Sequence, residues 1–258
     1  MARVLPRTNF HSSQLIRCLA DLDVLDSAES GNAFAEKLGQ WMHFTDAIAL
    51  SGVHGDSIAT HSKEPAKIGP GGKNSACVAT GVELERVQAF LTNSIIKSCS
   101  PNAGNALIKL PAPVLELPLN VATAYAPYGR FYEAHQRDME LSIQPLRTNV
   151  RAAVAKASPR LKKLADLDAT LGKILREREN KLLAKVPALL KKHFEQLFKA
   201  HQQRLAAAGQ TDDPSGWTQA GGWLARFCKD LQTLLLAEVE LRLQPTMGLI
   251  EAFKQDPQ

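Results

Sequence analysis

A chain of 258 residues, 45% of them apolar, has enough material for one large core or two small ones. Only 6% are aromatic, and the apolar content is mostly leucine and alanine, a balance that favours helix over sheet. The net charge of +5 is unevenly placed, with 15 basic against 5 acidic residues from Arg147 to Arg204. No run of about 18 apolar residues occurs, which argues against a helical membrane span. The four cysteines are scattered with no C-x-x-C spacing, as free thiols in a reducing compartment would be. The N-terminus lacks a long apolar stretch before a small-residue cleavage site. A soluble, cytoplasmic protein is therefore expected.

In chain order, the first helix signal is Ser12-Ser13 followed by QLIRCLADLDVLD. A serine hydroxyl there is expected to cap the helix, and Leu15, Cys18 or Leu19, Leu22 and Leu25 repeat at helical spacing. A second helix reads AFAEKLGQWMHFTDAIALS, with Phe34, Leu38, Trp41, Thr45 and Ile48 or Ala49 on one side. Residues 52–81 hold six glycines and two prolines without apolar periodicity, so the segment is expected to be a flexible loop. A third helix, VELERVQAFLTNSIIKSC, would turn Val82, Leu84 or Glu85, Val87, Leu91 and Ile95 inward. These elements form a small helical region, 1–100. Five prolines, Pro101, Pro111, Pro113, Pro118 and Pro127, then mark a connector over 101–126.

From 127 to 258 the pattern is a bundle of long helices. One helix is expected from 127 to 157. Ser158-Pro159 restarts the next, with serine as cap and proline at the first helical position. That helix runs to about 208, where Gly209 closes it, and Pro187 kinks or divides it. Asp213-Pro214 opens the last, SGWTQAGGWLARFCKDLQTLLLAEVELRL, which should bend or stop near Pro245. Short connections between long helices imply antiparallel neighbours. The fold class expected is all-α.

Chemistry-bearing residues are few. On a helix, Tyr128, Tyr132, His135, Met139, Ser142 or Ile143, and Leu146 share one face, whereas Arg130, Arg137 and Arg151 fall on another. The bulky face reads as a packed seam with tyrosine hydroxyls reaching its edge. Its functional alternative is a pocket or partner contact by Tyr128, Tyr132 and His135. His135 and Asp138 form an H-x-x-D pair, but two ligands do not make a metal site. GPGGKN (Gly69–Asn74) fails the phosphate-loop pattern, because Lys67 and Asn74 stand where Gly and Ser/Thr are required. Neither a G-x-S-x-G elbow nor an H-E-x-x-H is present, and no catalytic residue, cofactor or metal is expected. The basic segment 159–208 displays Lys162, Lys163, Arg176, Lys191 and Lys192. Phosphate binding is open to such a face. Base readout or stacking would need polar or aromatic side chains between the lysines, and they are missing. With Tyr128, Tyr132, His135, Arg130 and Arg137, these basic residues make up the candidate interaction surface.

The runs SSQLIRCLADLDV, FAEKLGQWMHFTDAIALS, YGRFYEAHQRDMELSIQPLR and VPALLKKHFEQLFKAHQ resemble the bacterial domain of unknown function 3348 family over nearly the whole chain. These motifs are packing residues, and the resemblance carries no catalytic residue onto any position. It implies a cytoplasmic accessory subunit of an envelope-associated assembly. Taken together, a non-enzymatic helical scaffold or adaptor is expected, with helical protein partners or self-association into a homo-oligomer. A nucleic-acid-associated protein using 159–208 is the alternative, and no membrane insertion is expected.

Overall fold

The computed structural model describes residues 13–22, 44–55, 70–100, 104, 106–114 and 119–256. Every regular element among them is helical: α1 (Gln14–Asp21), α2 (Phe44–Gly55), α3 (Pro70–Ser98), α4 (Val121–Ala157), α5 (Pro159–Leu183), α6 (Val186–Ala208), a 3-10 turn (Pro214–Gly216) and α7 (Trp223–Gln255). The all-α expectation is met.

Local signals place several boundaries as the sequence suggests. Ser158 Oγ accepts the Leu161 backbone N–H at 3.2 Å and caps α5. Pro187 divides the long basic segment, with α5 ending at Leu183 and α6 opening at Val186. Gly209 closes α6 at φ 60°, a left-handed conformation that a Cβ would strain.

Other boundaries differ, each for a physical reason. The expected loop at 52–81 is helical through Gly55 and again from Pro70, while 56–69 lies outside the described residues. Pro70 sits in the first turn, where its missing N–H removes no intrahelical bond. Ser13 stands at the cap of α1 without a capping bond. The remainder of the expected first helix beyond Leu22, with Leu25, and residues 33–43 of the second fall outside the described residues. Within α2, Thr45, Ile48 and Ala49 are exposed rather than part of a buried face. In α3, Leu91 and Ile95 are buried as expected, but Val82 is exposed.

The long helices are corrected too. α4 begins six residues earlier than Pro127, because Asn120 Oδ1 accepts the Thr123 N–H at 3.2 Å and caps it. Pro127 lies inside the second turn, where burial of Tyr125 and Tyr128 on either side outweighs one lost hydrogen bond. α7 begins at Trp223 instead of Ser215. Asp213 caps only the short 3-10 turn, accepting the Ser215 N–H at 3.0 Å. A Cβ on Gly222 would come within 2.2 Å of the Trp217 carbonyl, so this turn is written for glycine. α7 also continues past Pro245 to Gln255. Pro245 is exposed, and burial of Leu243, Thr246, Leu249 and Ile250 around it holds the helix together.

The described residues fall into two compact units. One draws on 1–31, 92–138 and 184–241, the other on 32–91, 139–183 and 242–258. The first has an aromatic core. Phe194 is ringed by Tyr125, Tyr128, Trp223 and Phe227 with centroids 5.8, 5.9, 5.1 and 5.0 Å away. Phe198, Trp217 and Trp223 continue the stack. Here α6 and α7 run antiparallel, pairing His193 with Asp230 and Phe194 with Phe227. α4 and α7 run parallel, pairing Tyr128 with Phe227 and Tyr132 with Glu238. The second unit has an aliphatic core built on Met139, Ile143, Leu146, Val150, Val154 and Leu161. Its α4 and α5 segments are antiparallel, as Arg147–Asp168 and Glu140–Arg176 pair in reversed order. α2 packs on α5.

Candidate functional site

The seam residues are interior. Tyr128, Tyr132 and His135 keep 3%, 0% and 1% of their surface exposed. Tyr132 and His135 each meet a polar group of another helix. The Tyr132 hydroxyl donates to Glu238 Oε2 at 2.8 Å, and Gln136 Nε2 donates to both Glu238 oxygens at 3.1 Å. Glu238 is itself fully buried, so these donors replace the water its carboxylate gives up. His135 Nε2 lies 3.0 Å from Ser98 Oγ, which also donates to the Ile95 carbonyl at 2.8 Å. Burial drives the imidazole down to about 4, so it is neutral at pH 7. The Tyr125 hydroxyl donates to the Pro187 carbonyl. Burial pushes the Tyr125 and Tyr128 phenols up, and Asp138 as well.

Two further polar ties fix the first unit. His193 Nε2 lies 2.9 Å from Asp230 Oδ2. Asp212 Oδ1 meets both His201 Nε2 and the Trp217 indole N–H at 2.8 Å, clamping the segment after Gly209 against α6. Burial raises the Cys18 and Cys99 thiols above the usual cysteine range. Burial, with a smaller contribution from Cys99, pushes Cys228 up to about 12.

In the second unit Arg147 and Arg151, one helical turn apart on α4, close on Asp168 of α5. Arg147 Nη2 approaches Oδ1 and Arg151 Nε approaches Oδ2, each at 2.5 Å. Burial alone would raise the Asp168 carboxyl, but the two guanidiniums outweigh it and hold it below its usual range. A groove of about 460 Å3 between α2 and α5 is lined by polar and charged groups including Asp46, Lys173, Glu177 and Arg178. Asp46, Glu177 and Arg178 are already engaged with other groups. No set of three His, Cys, Asp or Glu side chains among the described residues is arranged to hold a metal ion.

The remaining candidate residues lie outside, in different places. Arg130 and Arg137 are exposed on α4. Lys162, Lys163 and Arg176 project from α5, where Arg176 approaches Glu140 at 3.5 Å. Lys191 and Lys192 belong to α6, where Lys191 faces Glu195 at 3.9 Å. Sequence periodicity along α4 set Arg130 and Arg137 apart from the Tyr128/Tyr132/His135 seam, and both are exposed. It missed Glu238, Ser98, Asp168 and Asp212. Each answers a residue on another element or turn, and spacing within one helix carries no signal for that.

Among the described residues no helix is long and apolar enough to cross a membrane. The architecture is that of an all-α protein in which Tyr125, Tyr132, His135, His193 and Glu238 are committed to contacts between helices. The chain belongs to the family described as Protein of unknown function (DUF3348), whose model matches residues 1–255. No curated protein and no solved structure matches it.

Proposed function

We propose that the protein is a non-enzymatic helical scaffold or adaptor that binds other helical proteins. One observation carries this reading: the face richest in reactive side chains, Tyr128, Tyr132 and His135, is buried, with Tyr132 and His135 bonded to Glu238 and Ser98. A catalytic face would leave such groups open to a substrate and aim a perturbed acid or base into a cleft. Here the perturbed His135 sits in a helix contact, and α5 and α6 expose charged side chains suited to recognition of another folded chain. The proposal places the protein in the cytoplasm, as an accessory subunit of an envelope-associated assembly in bacteria, following the family resemblance.

The alternative is nucleic-acid binding through 159–208, favoured by the exposed Lys162, Lys163, Lys192 and Lys199. The two readings part on salt dependence. Binding through several phosphate contacts weakens by orders of magnitude as salt rises from about 50 to 200 mM. Titration with labelled duplex DNA and single-stranded RNA across that range is the test. The adaptor reading expects no saturable binding at physiological salt. Saturable binding with a steep salt slope, abolished by neutralising these lysines, would replace it with the alternative.

A further inference from the structure

α6 carries a row of cations that the fold does not use. Lys185, at the cap position in right-handed helical conformation, starts it, and Lys192 and Lys199 follow at seven-residue steps. Their Cα positions are thus about 10.5 Å apart along the axis, drifting about 20° per step. All three are exposed, and none has an ion pair with a described residue. The neighbouring Glu195 is drawn to Lys191, at 3.9 Å. Lys185 stands at the positive end of the helix dipole, and the first turn of α6 has no acidic residue to offset it. Among the described residues, the row is therefore not tied into the fold by any ion pair.

The surroundings of the row select its partner. Between the lysines lie Ala188 and Gln196, small or uncharged and exposed, so another backbone has room to approach. The large apolar and aromatic side chains of α6, among them Val186, Leu190, Phe194 and Phe198, are turned into the core. An interfacial membrane helix needs an exposed apolar face, and single-stranded nucleic acid needs stacking rings. A second copy of this face would bring like charges together. A helix with carboxylates at seven-residue intervals matches the row in sign and spacing. A crossing angle near +20° would follow its drift.

We propose that the Lys185–Lys192–Lys199 row of α6 is a docking face for an acidic helix of a partner protein, with Asp or Glu repeating every seven residues. This rests on the adaptor reading and specifies its surface and the chemistry of its partner. The test uses the full chain and two labelled helical peptides of identical composition. One has glutamates at seven-residue intervals, and the other has them scrambled. The ordered peptide is expected to bind about tenfold more tightly than the scrambled one near physiological salt, and Lys185→Gln/Lys192→Gln/Lys199→Gln to lose that preference. The charge-reversed Lys185→Glu/Lys192→Glu/Lys199→Glu variant should prefer a peptide with lysines at the same spacing. Because the substituted side chains are exposed, circular dichroism should be unchanged in both variants. Equal affinity for the two glutamate peptides, no effect of substitution, or displacement of the ordered peptide by charge-matched duplex DNA or anionic vesicles would each overturn the proposal. If the Lys→Gln variant keeps every native protein partner, the row is wrong while the adaptor reading stands.

Discussion

At the residue scale, the molecule is held by polar groups that lost their water on folding and regained partners from another element. Tyr132 and Glu238 show the stakes. Replacing Tyr132 with Phe removes a donor but leaves a fully buried carboxylate, which should lower stability by about 1–3 kcal/mol in urea unfolding. Thr246 is the converse, with a buried hydroxyl that has no partner among the described residues. Thr246→Val keeps the shape and removes that unmet group, so a gain of about 1 kcal/mol is expected; a loss would mean the hydroxyl is satisfied. His135 makes a pH prediction. Its folded value near 4 lies below the ordinary 6.5. Between those limits the unfolded chain binds the proton and the folded chain does not, so stability falls as pH drops from about 6.5 to 4. The shift corresponds to about 3 kcal/mol at the acid end. His135→Gln should flatten that part of the pH–stability profile, and an unchanged slope would assign it to other groups. Below the ordinary carboxylate value of 3.8, protonation of Asp168 removes the contribution of its two arginines and steepens the loss.

Helix boundaries at the element scale follow local chemistry where one residue decides them, and tertiary burial where the core does. The Ser158 cap, the break before Pro187 and the left-handed Gly209 were legible because each rule acts within a few residues. Ser158→Ala should cost about 1 kcal/mol. Gly222→Ala should cost more than Gly209→Ala, because its Cβ would strike the Trp217 carbonyl while the space at Gly209 is open. Pro127 and Pro245 misled in opposite ways from one cause. A proline's cost is local and visible, while the burial that offsets it, Tyr125 and Tyr128 in one case and Leu249 and Ile250 in the other, depends on elements far along the chain. The glycines at 71, 72 and 81 likewise suggested a loop, yet α3 passes through all three. The candidate site was half legible in the same sense. Period 3.6 told the inward Tyr128/Tyr132/His135 face from the outward Arg130 and Arg137, but it grouped Arg151, held by Asp168, with them and did not show that Ser98 and Glu238 would close the face.

At the scale of the whole molecule, each of the two units has a core of its own character. The first is aromatic, around Phe194 and Phe227, and the second aliphatic, around Met139 and Val150. The Tyr128, Tyr132 and His135 side chains are buried in the first unit, and lysines of α5 and α6 are exposed. The central claim is that the partners of these lysines are proteins. Its most direct test is affinity capture of the tagged full chain from its native host at physiological salt, with nuclease, followed by gel filtration of the captured complex. The account predicts a protein partner with helical acidic segments that survives nuclease and comigrates in fixed proportion with the chain. Loss of all partners on nuclease treatment, with nucleic acid recovered from the untreated sample, would contradict it.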